Sequence, residues 1–247
     1  MINPVAFNIG SLEIRWYGII YSFAFLMGIL IAAKLAKKKN ISKETIYDFA
    51  IWLIPSAVIG ARIGHVLGNL NYYSKNPFEI IAIWHGGVAL YGGILGAAIA
   101  ALIFCKKNKI KFYDLADIFV IPLAFGTIFG RIGNLINQEL YGKITNLPWG
   151  VEFDNVLGKR HPTQIYEAIG NLIVFVVLMF LWKKNLKTGT IFWTYLGAYS
   201  FIRFFAEFLR DGNLAFIGLT MMQLLSIPLF IVSIYFMYKI NKQNAIQ

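Results

Sequence analysis

The sequence predicts an all-α integral membrane protein with seven transmembrane helices, its N-terminus outside and its C-terminus cytoplasmic. Three observations carry this. The chain of 247 residues is 58% apolar and only 14% charged, where soluble domains run at about 45–50% and 25%. Apolar runs recur along its whole length, and its lysines cluster at alternate ends of those runs. Lys and Arg number 23 against 12 Asp and Glu, a net charge of +11. In a soluble chain that excess would suggest nucleic acid. Here it asks which side of a membrane the charges occupy, and no nucleic-acid partner is expected.

A spanning helix needs about 20 mostly apolar residues. The first run, Trp16–Leu35, opens on Arg15–Trp16–Tyr17–Gly18, where an interfacial aromatic belt accounts for Trp and Tyr. No basic segment precedes it, so it reads as a retained span and not a cleaved signal peptide. The second run is Tyr47–Leu67 and the third, entered through paired glycines, is Gly87–Phe104. The fourth, Ala116–Phe129, contains Pro122 and is short before Arg131; alternation of the topology demands a crossing there. The fifth, sixth and seventh are Gln164–Trp182, Thr190–Phe208 and Ile217–Tyr238, with Thr163 placed to cap the fifth. A single membrane domain over residues 1–247 is expected, with an external segment at about 131–163.

Lysine sets the orientation. Lys34, Lys37, Lys38, Lys39 and Lys43 follow the first run; Lys106, Lys107, Lys109 and Lys111 follow the third; Lys183, Lys184 and Lys187 follow the fifth; Lys239 and Lys242 follow the seventh. Every cluster lies after an odd-numbered span, which places those ends in the cytoplasm. The six arginines, Arg15, Arg62, Arg131, Arg160, Arg203 and Arg210, fall instead on outer loops or outer span ends. A planar, permanently charged fork suits phosphate or carboxylate, so the arginines point to an anionic group near the outer leaflet.

Four segments concentrate polar chemistry. GRIGNLINQELYG (130–142) brings Arg131, Asn134, Asn137 and Glu139 to the outer end of the fourth span, with glycines that permit close backbone approach. WHGGVALYGGILGA (84–97) can turn backbone N–H groups toward an anion, or serve a small-xxx-small helix contact through Gly92 and Gly96; His85 reads as an interfacial polar residue. RFFAEFLR (203–210) sets Glu207 beside Arg203 and Arg210 on one helical face, a pattern that a structural ion pair also satisfies. In HPTQIYEA (161–168), Glu167 suits the positive end of a helix dipole. Asp117 lies toward the inner side and reads as structural or as an ion-pair partner. The histidines His65, His85 and His161 lack metal-ligand spacing, and no P-loop, nucleophile elbow or dinucleotide fingerprint is present. Cys105 sits on the side opposite the arginines. Any nucleophile is therefore expected from a substrate, with no metal or organic cofactor.

These four segments, which follow RWYG (15–18) in the chain order WHGGVALYGGILGA, GRIGNLINQELYG, HPTQIYEA and RFFAEFLR, resemble the bacterial phosphatidylglycerol:prolipoprotein diacylglyceryl transferase family over essentially the whole chain, and GRIGN-x-IN-x-E-x-YG is similar to its signature. The resemblance implies a seven-span enzyme of the bacterial cytoplasmic membrane, working toward the outer leaflet. It would move the diacylglyceryl group of phosphatidylglycerol onto the lipobox cysteine thiol of a preprolipoprotein, leaving a thioether-linked lipid and glycerol phosphate. The family's catalytic positions correspond here to Tyr17, Arg131, Asn134, Glu139 and Arg203, with Tyr91 standing where many members carry histidine before Gly-Gly. Lipid binding corresponds to Arg131, Asn134, Arg203, Glu207, Gly92, Gly93, Arg210 and His161. A tyrosine of reference pKa near 10 is a poor base at neutral pH, which leaves Glu139 and His161 as proton acceptors. An anion transporter or channel using the same arginines is the rival; it predicts internal repeats and broken helices, which the sequence does not display. A non-catalytic lipid-binding scaffold is the third reading.

Overall fold

The computed structural model describes residues 3–154, 156–212 and 214–242. Helices dominate: α1 (Trp16–Ala36), α2 (Lys43–Gly68), the short α3 (Leu70–Tyr73), α4 (Leu90–Asn108), α5 (Phe112–Ile136), α6 (Thr163–Lys183), α7 (Thr190–Leu209) and α8 (Met221–Lys242). Two small antiparallel hairpins accompany them, β1 (Val5–Ile9) with β2 (Leu12–Arg15), and β3 (Val151–Glu152) with β4 (Lys159–Arg160). Among the described residues six helices are long and apolar enough to cross a membrane, namely α1, α2, α4, α5, α6 and α8. The sixth expected run is present as α7 and has the length, but Arg203, Glu207 and its tyrosines dilute its apolar character.

Each expected run is a helix, with three informative corrections to its bounds. The fourth does not stop at Phe129: α5 runs on to Ile136, so Arg131 and Asn134 stand on a helix. Pro122 does not break it, as is common in apolar helices whose neighbours accommodate the freed backbone groups. The third run begins at Leu90, because Gly86 and Gly87 take positive φ angles of 85° and 80° that end regular structure. The seventh begins at Met221, where Thr220 and Gln223 form a reciprocal capping box: the Thr220 N–H donates to Gln223 Oε1 (3.0 Å) and the Gln223 N–H to Thr220 Oγ1 (3.3 Å).

The chain divides into two compact units, the first formed by Met1–Ala32 and Ala116–Gln247, the second by Ala33–Leu115. In the first unit, α1 approaches α5 where α5 carries glycine. A Cβ on Gly130 would lie 2.9 Å from the Tyr21 hydroxyl, and one on Gly133 would lie 3.0 Å from the Tyr17 ring. These glycines therefore seat two tyrosines of α1. Asp117 has a structural role: its carboxylate accepts from the Gly189 N–H (2.7 Å) and the Phe192 N–H (2.8 Å), capping the start of α7 from α5. Trp193 of α7 stacks on Phe236 of α8 with centroids 4.4 Å apart.

The second unit is built on α2 and α4. Gly60 and Gly64 face Gly92 and Gly96 so closely that a Cβ on Gly64 would lie 2.9 Å from the Gly92 Cα. This is the small-residue helix contact, with backbones touching. Ser42 caps α2 by accepting from the Thr45 N–H at 3.1 Å.

Candidate active site

The site is assembled from the C-terminal end of α5, the first turns of α6 and the C-terminal end of α7, all in the first unit. At its centre is Glu167, one turn into α6 and only 2% exposed. Three guanidiniums converge on it. Arg131 Nη2 lies 2.6 Å from Glu167 Oε2, Arg203 Nη1 donates to Oε1 at 3.1 Å, and Arg210 Nη1 stands 3.7 Å from the same oxygen. A second carboxylate, Glu207, reaches Arg203 Nη2 at 2.8 Å and Arg210 Nη1 at 4.0 Å. The predicted i, i+4 and i, i+3 pairs of α7 are thus formed, and α6 contributes the larger share of their environment.

Three cations surround two carboxylates at these distances, leaving one positive charge in excess in a largely buried place. Burial, and then the neighbouring charge of Arg203, lower the Arg210 pKa from its ordinary value; Glu167 and Glu207 oppose this and Arg131 adds to it. An arginine so placed remains charged at neutral pH. The Nε of Arg131 is buried and has no hydrogen-bond partner among the described residues, an unspent donor of the sort an oxyanion satisfies.

A second layer continues from Arg131. Its Nη1 donates to Asn134 Oδ1 (3.3 Å), and Asn134 Nδ2 donates to Glu139 Oε1 (2.7 Å). Glu139 is delivered by the end of α5, a Schellman turn with Gln138 at positive φ (56°): the Gln138 N–H donates to the Leu135 carbonyl and the Glu139 N–H to the Asn134 carbonyl. Gln164 Nε2 then holds the Glu139 carbonyl at 2.7 Å, and Thr163 Oγ1 donates to the Leu140 carbonyl at 2.8 Å. Thr163 is therefore a tether between α6 and this turn and makes no side-chain cap, which corrects the expected role. Tyr17 joins the same layer, its hydroxyl interacting with Tyr21 and Asn134 in the field of Glu139.

The glycine that closes the signature is required by chain crowding. Gly142 donates to the His161 carbonyl (2.9 Å) and pairs in β fashion with Arg210. A Cβ on it would lie 2.6 Å from the His161 Cβ. His161 and Arg210 are thus tied to the same backbone position. The His161 Nδ1 stands 3.3 Å from the Tyr166 hydroxyl, which also accepts from Trp149 Nε1 at 2.8 Å.

Of the expected residues, Tyr17, Arg131, Asn134, Glu139, Arg203, Glu207 and Arg210 are brought together, and His161 is joined to them through Gly142. Tyr91, Gly92 and Gly93 lie in the second unit, at the start of α4; Gly92 packs against Gly60, and the Gly93 N–H is already bonded to the Ala89 carbonyl. The other three arginines are held outside this cluster. Arg15 pairs with Glu13, Arg160 with Asp211 at 2.7 Å, and Arg62 is consumed by backbone carbonyls. Glu167 was read from sequence as a helix-dipole residue. A charge one turn inside an otherwise apolar run is the signal that marks it, since such charges usually face a polar interior.

The family model described as prolipoprotein diacylglyceryl transferase matches residues 4–239. The chain is similar to the phosphatidylglycerol–prolipoprotein diacylglyceryl transferase of Finegoldia magna, at 43% identity covering 98% of this chain and 97% of that protein. Proteins of the same name from Geobacter sulfurreducens and Campylobacter jejuni subsp. doylei are 35% and 37% identical, covering 99% and 98% of this chain and 97% and 96% of theirs. A buried arginine–glutamate cluster on helices fit for a membrane, held by the segments that carry the resemblance, together with similarity along nearly the entire length, places this chain in the prolipoprotein diacylglyceryl transferase family.

Proposed function

We propose that this protein transfers the diacylglyceryl group of phosphatidylglycerol to the lipobox cysteine of a preprolipoprotein. The observation that carries the reading is the convergence of Arg131, Arg203 and Arg210 on Glu167 and Glu207. The cluster is one positive charge in excess, as a site for a phosphodiester requires. Membership of the family supports the substrate pair, and it leaves the transport alternative without support.

In the reaction the substrate thiolate attacks the glycerol carbon that bears the phosphate. A C–S bond forms, the C–O bond to phosphate breaks, and glycerol phosphate departs with the electron pair. Arg131 and Arg203 hold the phosphate as its charge grows; in water-poor sites a single such donor is worth about 3–4 kcal/mol at the transition state. Glu167 and Glu207 keep the guanidiniums in place before the lipid arrives. Asn134 and Tyr17 orient the head group. The thiol proton passes to Glu139 or His161, and modest help suffices because a free cysteine has a pKa of about 8.5.

In this reading α7 crosses the membrane with the six more apolar helices, making seven spans in one domain. The N-terminus lies outside, the C-terminus in the cytoplasm, and the site faces the outer leaflet of the bacterial cytoplasmic membrane. Purified protein incubated with phosphatidylglycerol and a lipobox peptide adds one diacylglyceryl mass to the peptide. An unchanged peptide with demonstrably folded protein overturns the assignment. Glu139→Gln and His161→Gln separate the two proton acceptors: loss of the true acceptor makes the rate follow the thiol's own ionisation, rising through about pH 8.5.

A further inference from the structure

The second unit contains an arginine spent wholly on backbone. Arg62, on α2 and 6% exposed, points all its donors at carbonyl oxygens of the segment that links α3 to α4. Its Nε donates to Ile80 (2.9 Å), one terminal nitrogen to Gly86 and Gly87 (2.9 Å for the latter), and the other to Glu79 and Ala82 (3.2 Å for the latter). A guanidinium has five N–H donors, and five carbonyls take them. Its plane also lies over the Tyr73 ring, 5.3 Å from the centroid. Gly87 is glycine because a Cβ there would meet His65 and Arg62.

What the clamp turns outward is chiefly apolar, beside a His85–Glu79 pair at 2.9 Å. The segment is two short turns of 3₁₀-helix, Pro77–Ile80 and Ile83–His85, and its large side chains face away from the unit: Phe78 is 87% exposed, Ile81 72% and Trp84 74%. Irregular backbone is costly near hydrocarbon because its carbonyls lack partners. Here the carbonyls are neutralised from within and the apolar side chains are left outside. The segment follows the short α3 and leads into α4; α4 and the α2 that carries Arg62 are both fit to span a membrane, and they also expose apolar side chains, Ile63 and Leu67 on α2 and Leu90 and Ile94 on α4.

We propose that residues 77–87 are an interfacial wedge, folded by Arg62 and inserted among phospholipids at the headgroup–acyl boundary, with Phe78, Ile81 and Trp84 as its anchors. Arg62 is the positioning residue; the lipid contact belongs to the three apolar side chains.

The test places a bimane label on Trp84→Cys, in a Cys105→Ser background, with the full chain in phosphatidylcholine–phosphatidylglycerol vesicles. A lipid carrying a doxyl group near its carbonyl quenches the label strongly, and aqueous iodide quenches it several-fold less. Adding Arg62→Gln reverses that order. Should that variant fail to fold, Phe78→Cys in the intact clamp decides alone, since the wedge predicts the same lipid quenching there. Dominant iodide quenching at both positions overturns the proposal, as does protection from both quenchers, which would mean a protein cover such as a second copy.

Discussion

Glu167 Oε2 and Arg131 Nη2 are 2.6 Å apart, although one belongs to the start of α6 and the other to the end of α5. The same carboxylate receives Arg203 from α7 through its other oxygen. One acidic side chain therefore sets the spacing of two cations drawn from two further helices. The carboxylates of the cluster hold the guanidiniums in place, and in the proposed reaction an arriving phosphodiester would meet donors already oriented.

Arg131→Ala is expected to lower diacylglyceryl transfer by about 100-fold or more, the usual effect of deleting a preorganised charge donor, with the protein still inserted. Arg131→Lys keeps the charge but loses the planar fork, so it recovers only part of the rate. Peptide mass spectrometry on both variants, with membrane-fraction yields, checks this.

Glu167→Gln should destabilise the first unit, because breaking a buried ion pair by removing one partner costs about 3–5 kcal/mol. The thermal midpoint in detergent falls. Glycerol phosphate should raise the midpoint of this variant more than that of the parent, since an added anion replaces the missing charge. Equal responses would contradict a phosphate-binding role for the cluster.

How much of this was legible in the sequence depends on range. The apolar runs, Arg203 with Glu207 and Arg210, and the Arg131–Asn134–Glu139 series are local patterns: each run is a helix, six of them long and apolar enough to span, and the two polar series do come together. Glu167 as a hub, and Arg62 as a carbonyl clamp, depend on elements distant in the chain, and a lone charge at a helix start carries a sufficient local explanation that conceals the tertiary one. The end of α5 was misplaced for a similar reason. Arg131 and Asn134 break the apolar pattern, but they are helical because their side chains face Glu167 and Glu139 and not lipid.

Gly142→Ala is predicted to abolish transfer while leaving helix content unchanged. The added Cβ falls 2.6 Å from the His161 Cβ and 2.8 Å from the His161 carbonyl oxygen, so the pairing that ties His161 and Arg210 to this position must open. Circular dichroism beside the transfer assay distinguishes this from general unfolding.

Asp117→Ala should lower stability by about 1–3 kcal/mol for each buried donor left unsatisfied, at the Gly189 and Phe192 N–H groups. Asp117→Asn retains one acceptor oxygen and is expected to fall between parent and Ala variant in a thermal melt. Catalysis at temperatures below the transition should be little changed, because neither backbone group touches the arginine cluster.

That aspartate also constrains the order in which the unit can be completed. Asp117 leaves the ribosome 72 residues ahead of Gly189, so this buried carboxylate is made well before the two backbone donors at Gly189 and Phe192 that it will accept from. The start of α7 therefore reaches its final seat only on an acceptor that α5 has already brought into place, and the helix that supplies Arg203 is the later partner in that pairing.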